Sequence, residues 1–299
     1  MIVALSMILD AIFGEPKWLW DRFTHPAVLM GRCVSFVDER FNQGRARKLK
    51  GMLSFGALCL GFGLLGVMLE ALPFGVVDVV IGAILIAQKS LVEHVAAVAS
   101  ALRLSLDEGR RRVGWIVGRD TKEMDRAAVS RAAIESAAEN FSDGVIAPIF
   151  WFALLGLPGL LIYKITNTAD SMIGYRTPRH EQFGWAAARF DDVLNWVPAR
   201  ITALLIALTT RPLPSLGDIR KDAALHRSPN AGWPEAAMSR VLRIALSGPR
   251  SYEGEMRHYP FVNAGARENV TPDDINRACR TLWQAWGITF VGVVLLALF

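Results

Sequence analysis

Long apolar runs divided by charged stretches dominate the chain. Met52–Leu69 is eighteen residues without a charge, Val145–Tyr163 is nineteen and Trp283–Phe299 is seventeen. At ~1.5 Å of helical rise per residue, each crosses most of a ~30 Å hydrocarbon layer. Val79–Leu102 is similarly apolar but carries Lys89, Glu93 and His94, with Lys89 and Glu93 spaced to neutralise each other. Val193–Thr210 is a weaker run, interrupted by Arg200. The pattern therefore predicts spans at 52–69, 79–102, 145–163, 193–210 and 283–299. Ile2–Phe13 contains Asp10, is too short to span, and lacks the basic start and small-residue cleavage site of a signal peptide. Asp120 and Glu123 have capping-box spacing and predict a helix running to about Asn140, and Pro234 reads as a first-turn proline. Alternating Val/Ile/Thr strands, internal repeats and low-complexity linkers do not stand out. The expectation is an all-α, polytopic integral-membrane helical bundle with long helical cytoplasmic loops, forming one domain over 1–299.

Composition sharpens this picture. The chain is 52% hydrophobic and 20% charged, with a mean hydropathy of +0.30. That excludes a disordered chain and leaves too little polar surface for an ordinary soluble domain. Cys33, Cys59 and Cys279 are far apart, which argues against a disulfide scaffold or structural zinc. The net charge is +5, and its distribution orients the spans. Glu70–Asp78 has no Lys or Arg, whereas Cys33–Gly51 has five and Arg103–Asn140 has eight. The first two spans thus read as a hairpin with its tip outside and its flanks in the cytoplasm. Ser215–Leu282, with ten Lys or Arg, also reads as cytoplasmic. Simple alternation would put Lys164–Asp192 outside despite its four basic residues; a break at Leu157-Pro158-Gly159 offers the alternative that 145–163 dips in and returns.

Five polar clusters carry candidate chemistry. Glu135, Glu139 and Asp143 recur at i, i+4 and i+8, placing like charges on one helical face beside an apolar run. A hard cation bridged to substrate phosphates would turn that repulsion into coordination; the plainer alternative is a solvated acidic face. Lys164, Asn167, Asp170 and Ser171 share a second face, followed by Arg176. Lys164 and Arg176 suit phosphate, and Asn167 and Asp170 suit a metal or hydrogen bonds, the alternative being a structural Lys164–Asp170 ion pair. Asp191 and Asp192 are cation ligands or caps of the following helix. His226 to Glu235, with Asn230 inside it, spells an ordered turn into a helix. His25, in the Asp10–Arg32 cluster, is a proton shuttle or a turn residue. Arg110, Arg111 and Arg112 read as a positive-inside patch. Walker A, GxSxG, HExxH and GxGxxG sequences are absent, so any nucleotide binds without a P-loop.

Such clusters beside membrane segments suggest an enzyme handling phosphorylated substrates with Mg²⁺. The classes are an integral-membrane transferase for lipid or isoprenoid diphosphates, a ligase that activates a carboxylate by phosphorylation, and a transporter. A transporter is expected to have more spans and shorter polar loops. A diphosphate transferase should carry two DxxxD-like motifs on separate helices, which Asp170 and Asp191-Asp192 do not form.

The wording of the clusters resembles the CbiB/CobD-type adenosylcobinamide-phosphate synthases of cobalamin (vitamin B12) biosynthesis. It rests on Leu9-Asp10, Gly14-Glu15-Pro16, His25-Pro26, Gly31-Arg32, Gln88 to His94, Val117 to Thr121, Ala133 to Asn140 and Asp143 to Pro148. Lys164 to Arg176, Phe183 to Asp192 with Pro198 to Arg200, and Ser228 to Ala236 are its strongest parts. The spans 10–32, 88–211 and 220–255 carry it. Arg103 to Arg112 is unusually arginine-rich, and Glu255 to Cys279 matches no family motif. The resemblance implies a multi-pass protein of the inner cell membrane with a cytoplasm-facing active site. It implies a ligase that uses ATP and Mg²⁺ to join adenosylcobyric acid to aminopropanol or its O-phosphate, the expected route being an acyl phosphate. The lipid bilayer and other membrane-associated enzymes of the pathway are expected partners, and nucleic acid is not. Carried onto this chain, Glu135, Glu139 and Asp143 are the leading Mg²⁺ ligands, with Asp191 or Asp192 second. Lys164, Arg176, Arg200 and Asn230 would hold phosphate or substrate, Asn167 and Asp170 would position it, and His25 or His226 would serve as base.

Overall fold

Apolar residues in long runs, with few Gly/Pro interruptions, satisfy their backbone groups internally as helix. The computed structural model describes residues 1–252 and 254–298. Its first helices are α1 (Ile2–Phe13), α2 (Lys17–Trp20), α3 (Pro26–Phe41), α4 (Arg47–Glu70), α5 (Val76–Leu85), α6 (Gln88–Leu104) and α7 (Leu106–Val113). There follow α8 (Arg126–Phe141), α9 (Ala147–Ile173), α10 (Trp185–Leu194), α11 (Trp196–Ala207), α12 (Leu216–Ala223), α13 (Gly232–Leu242) and α14 (Pro272–Leu296). Strands are confined to two small antiparallel pairs: β1 (Leu246–Ser247) with β4 (Phe261–Val262), and β2 (Arg250–Tyr252) with β3 (Glu255–Arg257).

Four stretches among the described residues are long and apolar enough to cross a membrane: Arg47–Glu70, Pro73–Leu104, Arg126–Ile173 and Pro272–Leu296. They contain the expected spans at 52–69, 79–102 and 145–163 and most of 283–299, whose last residue, Phe299, lies outside the described residues. The expected span at 193–210 is corrected. Its helix, α11, has only 12 residues, so at ~1.5 Å each it is too short to cross.

Two breaks shape the long stretches. Pro73–Leu104 is interrupted at Ile86, whose backbone is extended. Asp10, from α1, repairs the break: its Oδ2 accepts the Gln88 N–H at 3.0 Å and so caps α6. In α9 the helical conformation is lost at Leu155 and Gly156. Gly156 has φ +64°, a conformation that favours glycine, so the bend lies just before the expected Leu157-Pro158-Gly159. The predicted start of α8 is also corrected. Asp125, not Asp120, is its cap, accepting the Ala128 N–H at 2.6 Å.

Two compact units emerge, neither continuous in sequence. One comprises 1–89, 143–196 and the chain from 293 onward. In it α4, α3 and α10 pack on α9, and α1 packs on α5. Met30, Val34, Phe55, Phe152, Leu160 and Phe183 belong to its core. The other comprises 90–142 and 197–292. There α13 packs on both α8 and α12, α7 packs on α8, and β1 meets α8 and α13.

Candidate active site

In the first unit, the C-terminal half of α9 turns two different faces to its surroundings. Tyr163, Ile165, Thr166 and Ala169 are buried, while Lys164, Asn167 and Asp170 are partly accessible. The expected shared face is therefore present. Asp143 and Glu15 are the carboxylates that act electrostatically on Lys164, and among the described residues no ion pair joins Lys164 to Asp170. Asp191, buried on α10, accepts from Asn195 Nδ2 at 2.9 Å, and Asn167 Nδ2 stands 3.5 Å from its other oxygen. Burial first, and then the nearby Asp170 charge, push the Asp191 carboxyl up to about 7. Asp192 is next to it, 3.4 Å from Arg189 Nη1. Both aspartates lie inside α10 and neither begins the next helix. Tyr163 Oη stands 2.9 Å from the Asp143 carbonyl and 3.0 Å from Asn195 Oδ1, and its single hydrogen serves one of them at a time.

Arg176 is exposed on the loop after α9. That loop is anchored by residues the sequence reading did not single out: Arg179 Nη2 donates to Asp38 Oδ2 at 2.6 Å, and Asn42 Nδ2 donates to the other Asp38 oxygen at 2.7 Å. His25 caps α3, its Nδ1 accepting the Ala27 N–H at 3.1 Å, with its ring packed edge-on against Trp20. This is the turn role weighed for it above.

In the second unit, Glu135 is the centre of a buried charge cluster. Its Oε2 accepts from Arg119 Nη2 at 2.6 Å and lies 3.6 Å from Arg250 Nη2, and its Oε1 accepts the Ser247 N–H at 2.6 Å. Glu139, one turn on, is accessible, with Glu135, Arg227, Arg250 and Arg119 as its charged neighbours. Glu235 is buried, its Oε1 standing 3.6 Å from His226 Nε2 and its Oε2 without a hydrogen-bond partner. The Ser228 N–H occupies His226 Nδ1 at 3.0 Å, so the ring proton sits on Nε2, facing Glu235. Burial raises the Glu235 carboxyl well above the ordinary range and lowers His226, which favours a neutral pair. Arg200 donates to Asn230 Oδ1 at 3.1 Å and stacks over Trp233 at 4.8 Å. Asp120 clasps the β2–β3 turn through Ser251 Oγ at 2.9 Å and Gly254 N–H at 2.8 Å, which holds its carboxyl below the usual range.

The expected Mg²⁺ ligands fit unequally. A π-helical turn at Ser142–Ile146 interrupts the α-helical register, so the i, i+4, i+8 pattern does not carry through to Asp143. Both Glu135 oxygens already accept hydrogen bonds, and a cation there would have to displace them. Among the described residues, no three His, Cys, Asp or Glu side chains are grouped to hold a metal by themselves. Mg²⁺ carried on phosphates would need only one or two carboxylates, and Asp191 with Asp170 or Asp192 are the oxygen donors that could hold it. Arg119 lies within the motif Val117 to Thr121, which assigns it no role. Arg250 lies in the span 220–255 that carries the resemblance but outside its motifs.

These features define an all-α protein with membrane-length helices and a centre of ionisable side chains in each unit. The family described as CobD/Cbib protein matches residues 3–282, and the chain belongs to it. It is 45% identical to the Cobalamin biosynthesis protein CobD of Rhizobium meliloti (strain 1021), over 96% of this chain and 94% of the relative. The protein of the same name from Brucella anthropi is 43% identical over 99% and 96%, and that of Rhodobacter capsulatus 42% over 97% and 95%. No solved structure matches.

Proposed function

We propose that the chain acts in cobalamin biosynthesis as an ATP-dependent acid–amine ligase, joining a carboxyl of adenosylcobyric acid to (R)-1-aminopropan-2-ol or its O-phosphate. Family membership and the relatives' names support the pathway. The observation that carries the chemistry is the face of α9 on which Lys164, Asn167 and Asp170 leave an apolar helix near Asp191. Carboxylate and amine do not condense directly in water, because the oxide leaving group is poor. In the proposed route a carboxylate oxygen attacks the γ-phosphorus of ATP and ADP leaves. The amine then attacks the acyl carbon, phosphate leaves, and the amine proton passes to a base. Lys164 and Arg176 would hold phosphate oxygens in the first unit, and Arg200, held by Asn230 and stacked on Trp233, is a substrate-binding cation of the second. Mg²⁺, when bound, supplies charge neutralisation on those oxygens, and Asp191 with Asp170 or Asp192 would hold it. The apolar surroundings would keep water from the activated carboxyl. His25 and His226 each use Nδ1 to accept a backbone N–H, so neither presents that nitrogen as the base.

The basic segments 33–51, 103–140 and 215–282 support a place in the inner cell membrane with the polar centres toward the cytoplasm. Membrane preparations given adenosylcobyric acid, ATP, Mg²⁺ and aminopropanol phosphate are expected to yield the amide by mass detection. Absence of amide, with turnover of prenyl diphosphates instead, would replace the ligase with a diphosphate transferase. Glu139, accessible beside Arg227 and Arg250, is retained as a candidate metal carboxylate of the second unit. Glu139→Gln is expected to abolish turnover without affecting membrane insertion; a wild-type rate at limiting Mg²⁺ would remove it from the metal.

A further inference from the structure

Helices α3 and α4 enclose an open groove of about 680 Å³. Phe36, Phe41, Leu53 and Leu58 give it an apolar wall, and Arg32 and Lys50 border it. Phe36, Phe41 and Leu53 are 63%, 42% and 66% exposed, on a helix pair that includes the membrane-length α4. Arg32 has no ion-pair partner among the described residues. Lys50 donates one N–H to the Gln43 carbonyl at 2.8 Å, which leaves its ammonium further donors. Between Arg32 and Lys50 the chain carries six Lys or Arg against two acids, Asp38 and Glu39, and Asp38 is already held by Arg179 and Asn42.

An apolar wall on a membrane helix, bordered by uncompensated cations in a basic segment, matches a molecule with an anionic head and hydrocarbon chains. We propose that this groove is a binding site for one anionic diacyl phospholipid, its phosphate held by Arg32 and Lys50 together and an acyl chain lying along Phe36, Leu53 and Leu58. Charge complementarity selects the head, and basic pockets between membrane helices attract anionic lipids for this reason. The apolar wall requires the chains, which a free phosphate lacks. The groove lies within one unit and involves none of the residues assigned to the ligase chemistry.

The test uses the full chain in detergent, with native mass spectrometry against phosphatidylglycerol and phosphatidylcholine. One phosphatidylglycerol per chain is expected to be retained in preference to phosphatidylcholine. Arg32→Gln and Lys50→Gln should each weaken retention about fivefold, and the double variant about thirtyfold. Ala57→Trp, which fills the groove and leaves both cations in place, should also release the lipid. Glycerol phosphate without acyl chains should not compete. Equal retention of the two lipids, unchanged retention in the double variant and in Ala57→Trp, or full displacement by glycerol phosphate would overturn the site. Amide formation is measured separately, so failure here leaves the ligase reading intact.

Discussion

Glu135 and Glu235 show how differently two buried carboxyls can be accommodated. Glu135 receives Arg119, Arg250 and a backbone N–H, and this set keeps a charge tolerable in a dry interior. Removing one partner of such a pair typically costs ~3–5 kcal/mol. Glu235 has only the His226 ring at ion-pair distance among the described residues, so burial, and then the like charges of Glu135 and Glu139, favour its neutral form. Its carboxyl is raised in the folded state, so its contribution to stability is complete below the unfolded value of 4.5 and is lost as pH rises through the folded value. His226 is shifted the other way, and its effect is felt only as pH falls below 6.5. Of these two groups, only Glu235 gives a slope between neutrality and mild alkali. Glu235→Gln keeps an oxygen facing His226 Nε2 but cannot ionise. It should match wild type near pH 5 and melt about 3 °C higher near pH 8, by thermal unfolding in detergent. A parallel decline of both proteins with pH would place the slope elsewhere. Neither environment is written in the local sequence. Glu135 lies at helical spacing from Glu139 and suggested a metal face, while the Arg250 and Ser247 that satisfy it come from more than a hundred residues later.

The elements divide along the same line. Spans 52–69 and 145–163 were legible because hydropathy depends on composition over a window, and bilayer thickness sets the window's length. Where those helices bend was less legible. The break at Ile86 depends on Asp10, seventy-eight residues before the Gln88 it caps, and Gly156 precedes the proline at the predicted break. Asp120 had capping spacing, yet its carboxylate is committed to the β2–β3 turn and Asp125 takes the cap. Lys164, Asn167 and Asp170 share the predicted face because α9 is regular there, whereas the π turn separates Asp143 from the register of Glu139. Close packing of α4 on α9 turns on another feature hidden in an apolar run. A Cβ at Gly66 would come 2.5 Å from Pro158 Cα, backbone that cannot rotate away, while one at Gly61 would meet nothing within 4 Å. Gly66→Ala should cost about 1–3 kcal/mol in unfolding and Gly61→Ala close to none. Equal melting of the two variants would show that the crossing is not held at that distance.

At the scale of the whole molecule, charge rather than hydropathy gives direction. Pro73, Phe74 and Gly75 form a short turn after α4, and Phe74 is 95% exposed. No Lys or Arg lies from Glu70 to Asp78, whereas Arg40, Arg45, Arg47, Lys48 and Lys50 crowd the other end of α4. Translocating those five cations would be far costlier than translocating the uncharged turn, so the basic end should stay in the cytoplasm. The same asymmetry would keep the proposed ATP-consuming chemistry where ATP is found. Gly44, between α3 and α4, has open space around it, so a cysteine there is sterically free although its φ of +65° adds some backbone strain. With Cys33, Cys59 and Cys279 replaced by Ser, Phe74→Cys should react with a membrane-impermeant thiol reagent on intact cells. Gly44→Cys should react only after the membrane is opened. The reverse pattern would invert the hairpin, carry the basic groove of α3 and α4 to the outer leaflet, and remove the charge argument for a cytoplasmic ligase.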